Sequence, residues 1–219
     1  MAQLRARGRI DNPVEGLRDD TDEPAEADRQ MAARIVVTEF VSLDGVMEAP
    51  GGEPFKYPGW SFEFDRGDDG NQFKLEETRQ SDALLIGRRT YESFAGAWPQ
   101  REGPFADKLN TMPKFVVSTT LKDAEWNNTT VLSSGDATDQ VRNLKEEFDG
   151  ELQLPGSHQL VQELIESDLV DQINLMVFPT ILGTGKKVFE EKPDRRNLRL
   201  KRSKVVGDGV VVLIYTRAA

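Results

Sequence analysis

The stretch ALLIGRRTYESF, residues 83–94, passes from a wholly apolar run to two adjacent arginines across a single glycine. Ala83 to Ile86 suits a short buried strand, and Tyr91, Phe94 and Trp98 then recur three and four residues apart. The pattern predicts a strand, a tight turn at Gly87 and a helix from about Thr90. Unpaired N–H groups and the positive end of the helix dipole would then lie beside Arg88 and Arg89. Such a corner suits a phosphate. The alternative leaves both arginines solvated on a surface turn, so the choice depends on the rest of the chain.

Outward from that stretch, strands and helices alternate. Ile35 to Val41 reads as a strand, followed by a Gly/Pro-rich connection over 48–72 that carries Phe55, Tyr57, Trp60, Phe62 and Phe64. A weakly patterned helix is expected over 70–80, and a short helical face at Phe105, Leu109 and Met112 precedes the strand KFVVS at 114–118. Thr129 to Leu132 reads as a further strand. A helix with Val141, Leu144 and Phe148 follows, capped by Asp136 or Thr138. After the strand Glu151 to Leu154, a helix bearing Leu160, Val161, Leu164 and Ile165 takes Ser157 as its expected N-cap. INLMVFP at 173–179 is nearly continuously apolar, as a strand covered on both faces should be. GDG at 207–209 separates two terminal strand patterns, 198–206 and 210–216, and signals a hairpin. The expected architecture is α/β: a mixed, mostly parallel central sheet with helices on both faces and an antiparallel finish.

Composition excludes several classes. The 219 residues include no cysteine and one histidine, so disulfides, cysteine nucleophiles and Cys- or His-cluster metal sites are out. The formal net charge of -10 opposes non-specific attraction to nucleic acid or anionic lipid. No apolar run approaches the roughly 20 residues that span a bilayer, and residues 1–10 lead into no apolar signal core. A cytoplasmic protein is expected. Residues 11–30 hold eight acidic residues and almost nothing large and apolar. Residues 1–30 therefore read as a disordered acidic extension, with one domain over 31–219.

Three turns share one character: IGRRT at 86–90, VSTT at 117–120 and LPGS at 154–157. Each follows an expected strand and offers glycine, hydroxyl or guanidinium groups at the sheet's carboxyl edge, where ligands of open α/β sheets settle. Together they could hold an extended polyphosphate such as a nucleotide. Neither G-x-G-x-x-G in the first strand–helix turn nor G-x-x-x-x-G-K-[ST] is present, so the Rossmann and P-loop fingerprints are absent.

With those turns in place, the chain from Arg34 to Arg217, 184 of 219 residues, resembles the dihydrofolate reductase-like superfamily. The similar branch is the C-terminal reductase domain of the bifunctional riboflavin-biosynthesis deaminase-reductase. VSLDG at 41–45, LLIGRRTYE at 84–92, KFVVSTTL at 114–121, LPGS at 154–157 and FPTILGTGKKVF at 178–189 carry the resemblance. It implies a three-layer fold with about eight strands, NADPH as cofactor, hydride transfer to a heterocyclic C=N-type bond, and a homodimer.

The same resemblance implies site residues. Gly87, Arg88, Arg89 and Thr90 match the turn that embraces NADPH phosphates, with the arginines reaching the adenosine 2′-phosphate. Ser118 and Thr119 match the adenosine-side contact, and Gly156 and Ser157 the pyrophosphate-binding helix start. Asp44 and Gly45 match the loop beside nicotinamide and substrate, and Leu182, Gly183 and Gly185 border the same cleft. Asp44 is the candidate for arranging the proton that accompanies hydride, or else a turn aspartate bonded to its own backbone. Trp60, Phe62 and Phe64 could stack on a flat heterocycle or anchor their loop. His158 reads as an exposed first-turn residue, Lys186 and Lys187 as phosphate-attracting or solvated, and Asp65, Asp68 and Asp69 as solvated.

The sequence also departs from the riboflavin-pathway pattern. The Asp-Pro pair and downstream arginine that grip the ribose phosphate are replaced by AGAWPQREGPFADKLN, and the deaminase signatures H-x-E and P-C-x-x-C do not occur. Aminouracil phosphoribosyl reduction is therefore one reading. Pterin or folate reduction, with Glu76 or Glu77 as the ring-binding carboxylate, is the alternative, and a noncatalytic nucleotide-binding protein the third.

Overall fold

The computed structural model describes residues 32–190 and 195–218. The expected disordered extension lies outside the described residues. Among the described residues eight strands form one sheet in the order β4-β3-β2-β5-β1-β6-β8-β7. They are β1 Arg34–Ser42, β2 Ala83–Gly87, β3 Lys114–Val117, β4 Thr129–Leu132, β5 Glu151–Pro155, β6 Gln172–Phe178, β7 Leu198–Val206 and β8 Val210–Arg217. From β4 to β6 every neighbouring pair is parallel, and β8 joins β6 and β7 antiparallel. The expected mixed sheet and terminal hairpin are both present.

Among the described residues five α-helices cover the sheet: α1 Gly67–Gln80, α2 Arg88–Ala97, α3 Pro104–Thr111, α4 Ala137–Glu147 and α5 His158–Glu166. The period of two along the strands assigns them to faces. Ala83 and Leu85 of β2 share a core with Val141 and Leu144 of α4 and Leu160, Val161 and Leu164 of α5. Leu84 and Ile86 face the other way, into a core with Tyr91 of α2 and Leu109 of α3. The chain moves towards β4 beneath α1 to α3 and returns beneath α4 and α5, as single-handed crossovers require. Consequently α2 leaves β2 on one face while α5 leaves the adjacent β5 on the other, and the carboxyl ends of those two strands form the switch point of the sheet.

Two element starts differ from expectation. α1 begins at Gly67 and α2 at Arg88, each earlier than the side-chain pattern indicates, because the polar first turn of a helix carries no apolar period. α4 is capped by Asp136, whose carboxylate accepts from the amides of Thr138 and Asp139.

Among the buried polar groups of this frame is a lysine. The Lys114 side chain is fully buried, and its ammonium donates to the carbonyls of Met112 (2.8 Å), Asn127 (2.9 Å) and Asn110 (3.3 Å). It also lies 4.4 Å from the centre of the Trp126 ring. Burial pushes its pKa down to about 8. Among the described residues no helix is long and apolar enough to cross a membrane.

Candidate active site

The turns after β2, β3 and β5 meet at the switch point. Ser157 Oγ accepts a 2.7 Å hydrogen bond from Gly87 N–H and donates a 2.9 Å bond to Thr90 Oγ1. Arg88 Nη1 donates to Thr120 Oγ1 at 2.8 Å, tying the β2 corner to the β3 corner. The three polar turns separated in the sequence thus form one rim.

Several individual expectations change at this rim. Gly87 has φ -84° and ψ 166°, ordinary extended backbone, and a Cβ there would sit 3.5 Å from Ser157. The turn therefore does not require glycine at 87. Left-handed backbone occurs instead at Gly156 (φ 57°) and, unusually for a residue with a side chain, at Ser157 (φ 65°). A Cβ on Gly156 would approach Thr90 Oγ1 to 3.0 Å, so glycine is needed there for both conformation and clearance. Ser157 occupies the N-cap position of α5 but makes no side-chain cap bond, because its hydroxyl is committed to Gly87 and Thr90. Gly87, the N-cap of α2, has no side chain to cap with. The two helices that start at the switch point thus keep their first-turn N–H groups uncapped by their own N-cap side chains, whereas α4 satisfies its own.

The two arginines are not equivalent. Arg88 is held by Glu92 (2.7 Å) as well as by Thr120. Arg89 is exposed and has no hydrogen-bond or ion-pair partner among the described residues. At the third corner, Ser118 Oγ accepts from the amides of Thr120 (3.2 Å) and Leu121 (3.0 Å), so it shapes the turn, while Thr119 is exposed.

On the β1 side, the segment after Ser42 is zipped to the segment after β6. Leu43 N–H donates to Thr180, Met47 N–H to Lys186 and Val188 N–H to Gly45. Asp44 closes this pair of loops. Its Oδ1 accepts from Ser42 Oγ (2.6 Å) and Leu182 N–H (3.1 Å), and its Oδ2 from Gly183 N–H (2.8 Å). Partial burial acts to raise its pKa, but the Ser42 hydroxyl and the Gly183 and Leu182 amides outweigh it and hold the carboxyl below its usual value. Asp44 is therefore an ionised clasp that brings Gly45, Leu182 and Gly183 together at one edge.

The aromatic loop divides differently from expectation. Trp60 is 1% exposed, stacks edge-on to Phe178 at 5.4 Å and donates its indole N–H to Glu48 O at 2.8 Å. It belongs to the core and offers no free ring face to a substrate; Phe62, 68% exposed, does. A lone tryptophan in a Gly/Pro-rich loop gives no periodic signal of which way it faces. Lys186 is paired with Glu48 at 3.3 Å, and His158 lies 2.8 Å from the Glu190 carboxylate. On α1, Glu76 is exposed and bonded to Gln72, while buried Glu77 is engaged by Lys74, Thr38 and Asn174.

One residue at this edge had no signal in the sequence. Glu39 interrupts the apolar β1, is 4% exposed, and its Oε1 has no hydrogen-bond partner. It lies one position beyond the last β1–β5 pair, Thr38 with Pro155, where β5 turns away through Gly156.

Comparison with known proteins identifies the family and the fold. The family described as the RibD C-terminal domain matches residues 33–212. The chain belongs to that family. Its coarse activity is accordingly that of a RibD-type reductase, an enzyme of a family that uses a nucleotide cofactor. The uncharacterized protein YyaP of Bacillus subtilis is 26% identical over 187 residues, covering 83% of this chain and 94% of that protein. Among solved structures, a protein from Shewanella sp. PV-4 described as a "putative riboflavin biosynthesis protein" superposes with TM-score 0.67 at 22% identity, covering 85% of this chain and 99% of that one. RibD of Acinetobacter baumannii superposes with TM-score 0.58 at 14% identity; 85% of this chain corresponds to 58% of that one. At these identities the structural matches establish the RibD-like fold.

Proposed function

We propose that this RibD-family chain is an NADPH-dependent reductase acting on a C=N-type bond of a small heterocycle, similar to the aminouracil phosphoribosyl reduction of riboflavin biosynthesis. The observation that carries the proposal is the rim at the switch point. Two helix starts without N-cap side-chain bonds, Arg89 without a partner among the described residues and the exposed Thr119 converge there, a donor set suited to phosphates. When bound, NADPH would supply the hydride. The chain's task is then to bind, orient and exclude water.

In this reading the α2 and α5 starts, with Gly87, Thr90, Gly156 and Ser157, receive the phosphates. Arg89 meets the 2′-phosphate, and Arg88 braces Thr120 while presenting its outer face. Ser118 shapes the adenosine-side turn that presents Thr119. Asp44 positions the loops bearing Gly45, Leu182 and Gly183 around the reacting ring; its own oxygens are filled by Ser42 and two amides, so it orients rather than donates. Phe62 takes the stacking role expected of Trp60.

Pterin reduction fits less well, because it asks for a free carboxylate on α1. Glu77 is already bonded to three partners and Glu76 faces solvent. The test is NADPH oxidation with a panel of aminopyrimidines, pterins and dihydrofolate, alongside calorimetry with NADPH and NADH. Turnover of an aminopyrimidine with NADPH preferred supports the proposal. Tight NADPH binding without turnover of any substrate replaces it with a noncatalytic nucleotide-binding role, and no binding removes it.

A further inference from the structure

Glu39 is a carboxyl group placed where the proposed ligand carries negative charge. It stands in the carboxyl half of β1, three residues before Ser42 and next to the Gly156 N–H of the left-handed turn that opens α5, and is 4% exposed. Its neighbours Thr38 and Phe40 alternate to the α1 face, which leaves Glu39 on the α5 face with Val37 and Val41. A buried polar atom without a partner is rare enough to require a cause, and Oε1 of Glu39 is such an atom. Bond formation with a ligand at the rim supplies that cause.

We propose that Glu39 is a proton-linked gate of the dinucleotide corner: as a neutral carboxylic acid it admits the anionic cofactor and offers it a hydrogen bond, and as a carboxylate it repels it. The inference rests on the reading of the corner as a dinucleotide site and adds a residue and a regulation to it. Burial pushes the Glu39 carboxyl well above its usual range, against the pull of Lys74 and the Gly156 N–H and with the help of Glu77. A phosphate added nearby would raise it further, so binding and protonation favour each other.

The charged groups on the surrounding elements are few. α1 contributes Lys74 and Glu77, which neutralise each other as a pair. α5 contributes His158, whose Nε2 lies 2.8 Å from the Glu190 carboxylate, together with Glu163 and Glu166 farther along the helix. The adjoining loops contribute ionised Asp44 and the Lys186–Glu48 pair. β6 bears no charged side chain, and Glu151 of β5 lies at the opposite end of the sheet, in register with Arg34. All of these persist in a Glu39 variant, as does the cofactor's own 2′-phosphate titration, so they cancel when variants are compared.

The experiment measures the NADPH dissociation constant by calorimetry from acid to alkaline pH in the wild type, Glu39→Gln and Glu39→Met. The amide keeps the shape and a donor; the thioether keeps volume without charge, and serves should the first variant misfold. The wild-type constant should weaken with pH, approaching about tenfold per unit above the point where Glu39 ionises, relative to either variant. Glu39→Gln should equal the wild type at low pH. If all three proteins follow one pH profile, the gate is refuted while the dinucleotide site stands. Should none bind NADPH at any pH, both the gate and the proposed function fall.

Discussion

Ser157 donates a 2.9 Å hydrogen bond to Thr90 across the seam between β5 and β2, joining the first turns of two helices that lie on opposite faces of the sheet. The same oxygen receives the Gly87 amide, and the serine holds a left-handed backbone to do so. The alanine and glycine variants separate these effects. Ser157→Ala should lose about 1–2 kcal/mol of stability through the orphaned Gly87 N–H. Ser157→Gly loses the same bonds but relieves the left-handed strain, and should be the more stable of the two by about 1 kcal/mol. Urea unfolding checks the order; the reverse order would mean that Ser157 is not strained.

The arginines should separate as well. Arg89→Ala should weaken NADPH about tenfold or more with little effect on NADH, because a phosphate contact is lost. Arg88→Ala should weaken both nucleotides similarly, because Arg88 is committed to Glu92 and Thr120 and acts by holding two corners together. Calorimetry with the two nucleotides distinguishes these outcomes.

Asp44→Asn removes the charge from a clasp that accepts from Ser42 and two amides. Turnover should fall about tenfold, or 1.4 kcal/mol, with NADPH affinity retained and the shape of the pH–rate profile unchanged. A lost ionisation in that profile would instead make Asp44 a proton donor. For stability the sign follows from its lowered pKa. The contribution of Asp44 is present above its usual value of 3.8 and is lost as pH falls through the folded value.

Lys114 gives a slope of the same sign in the alkaline range. Its folded pKa is about 8 against 10.5 for the ordinary side chain, so between these values the unfolded chain binds more protons and stability rises with pH. The rise should be on the order of 1–3 kcal/mol, since the three carbonyls already offset part of the burial cost. Lys114→Met should flatten it while lowering stability at every pH by orphaning those carbonyls. Denaturant melts across the window test both statements.

Much of the fold was legible in local pattern. The apolar run at Ile173–Phe178, the GDG hairpin and the helical spacing of Leu160, Val161 and Leu164 each reflect a period set by the backbone itself, and each element lies where the pattern places it. Helix starts were less legible, because polar first turns have no such period. The candidate rim was legible as three polar turns at strand ends, but not the partnerships within it. Nothing local distinguishes Arg88 from Arg89, or tells that Trp60 turns inward and Phe62 outward.

By itself, the sequence determined which segments are strands and helices, which side of each is apolar, and that a polar corner follows β2, β3 and β5. Only the tertiary structure decided that β5 inserts between β2 and β1, which sets Ser157 against Gly87 and Thr90 and leaves Glu39 buried beside Gly156. The reason is physical: periodicity is a property of neighbouring residues, whereas strand order and the pairing of polar groups arise from contacts made across 67 and 70 positions of chain.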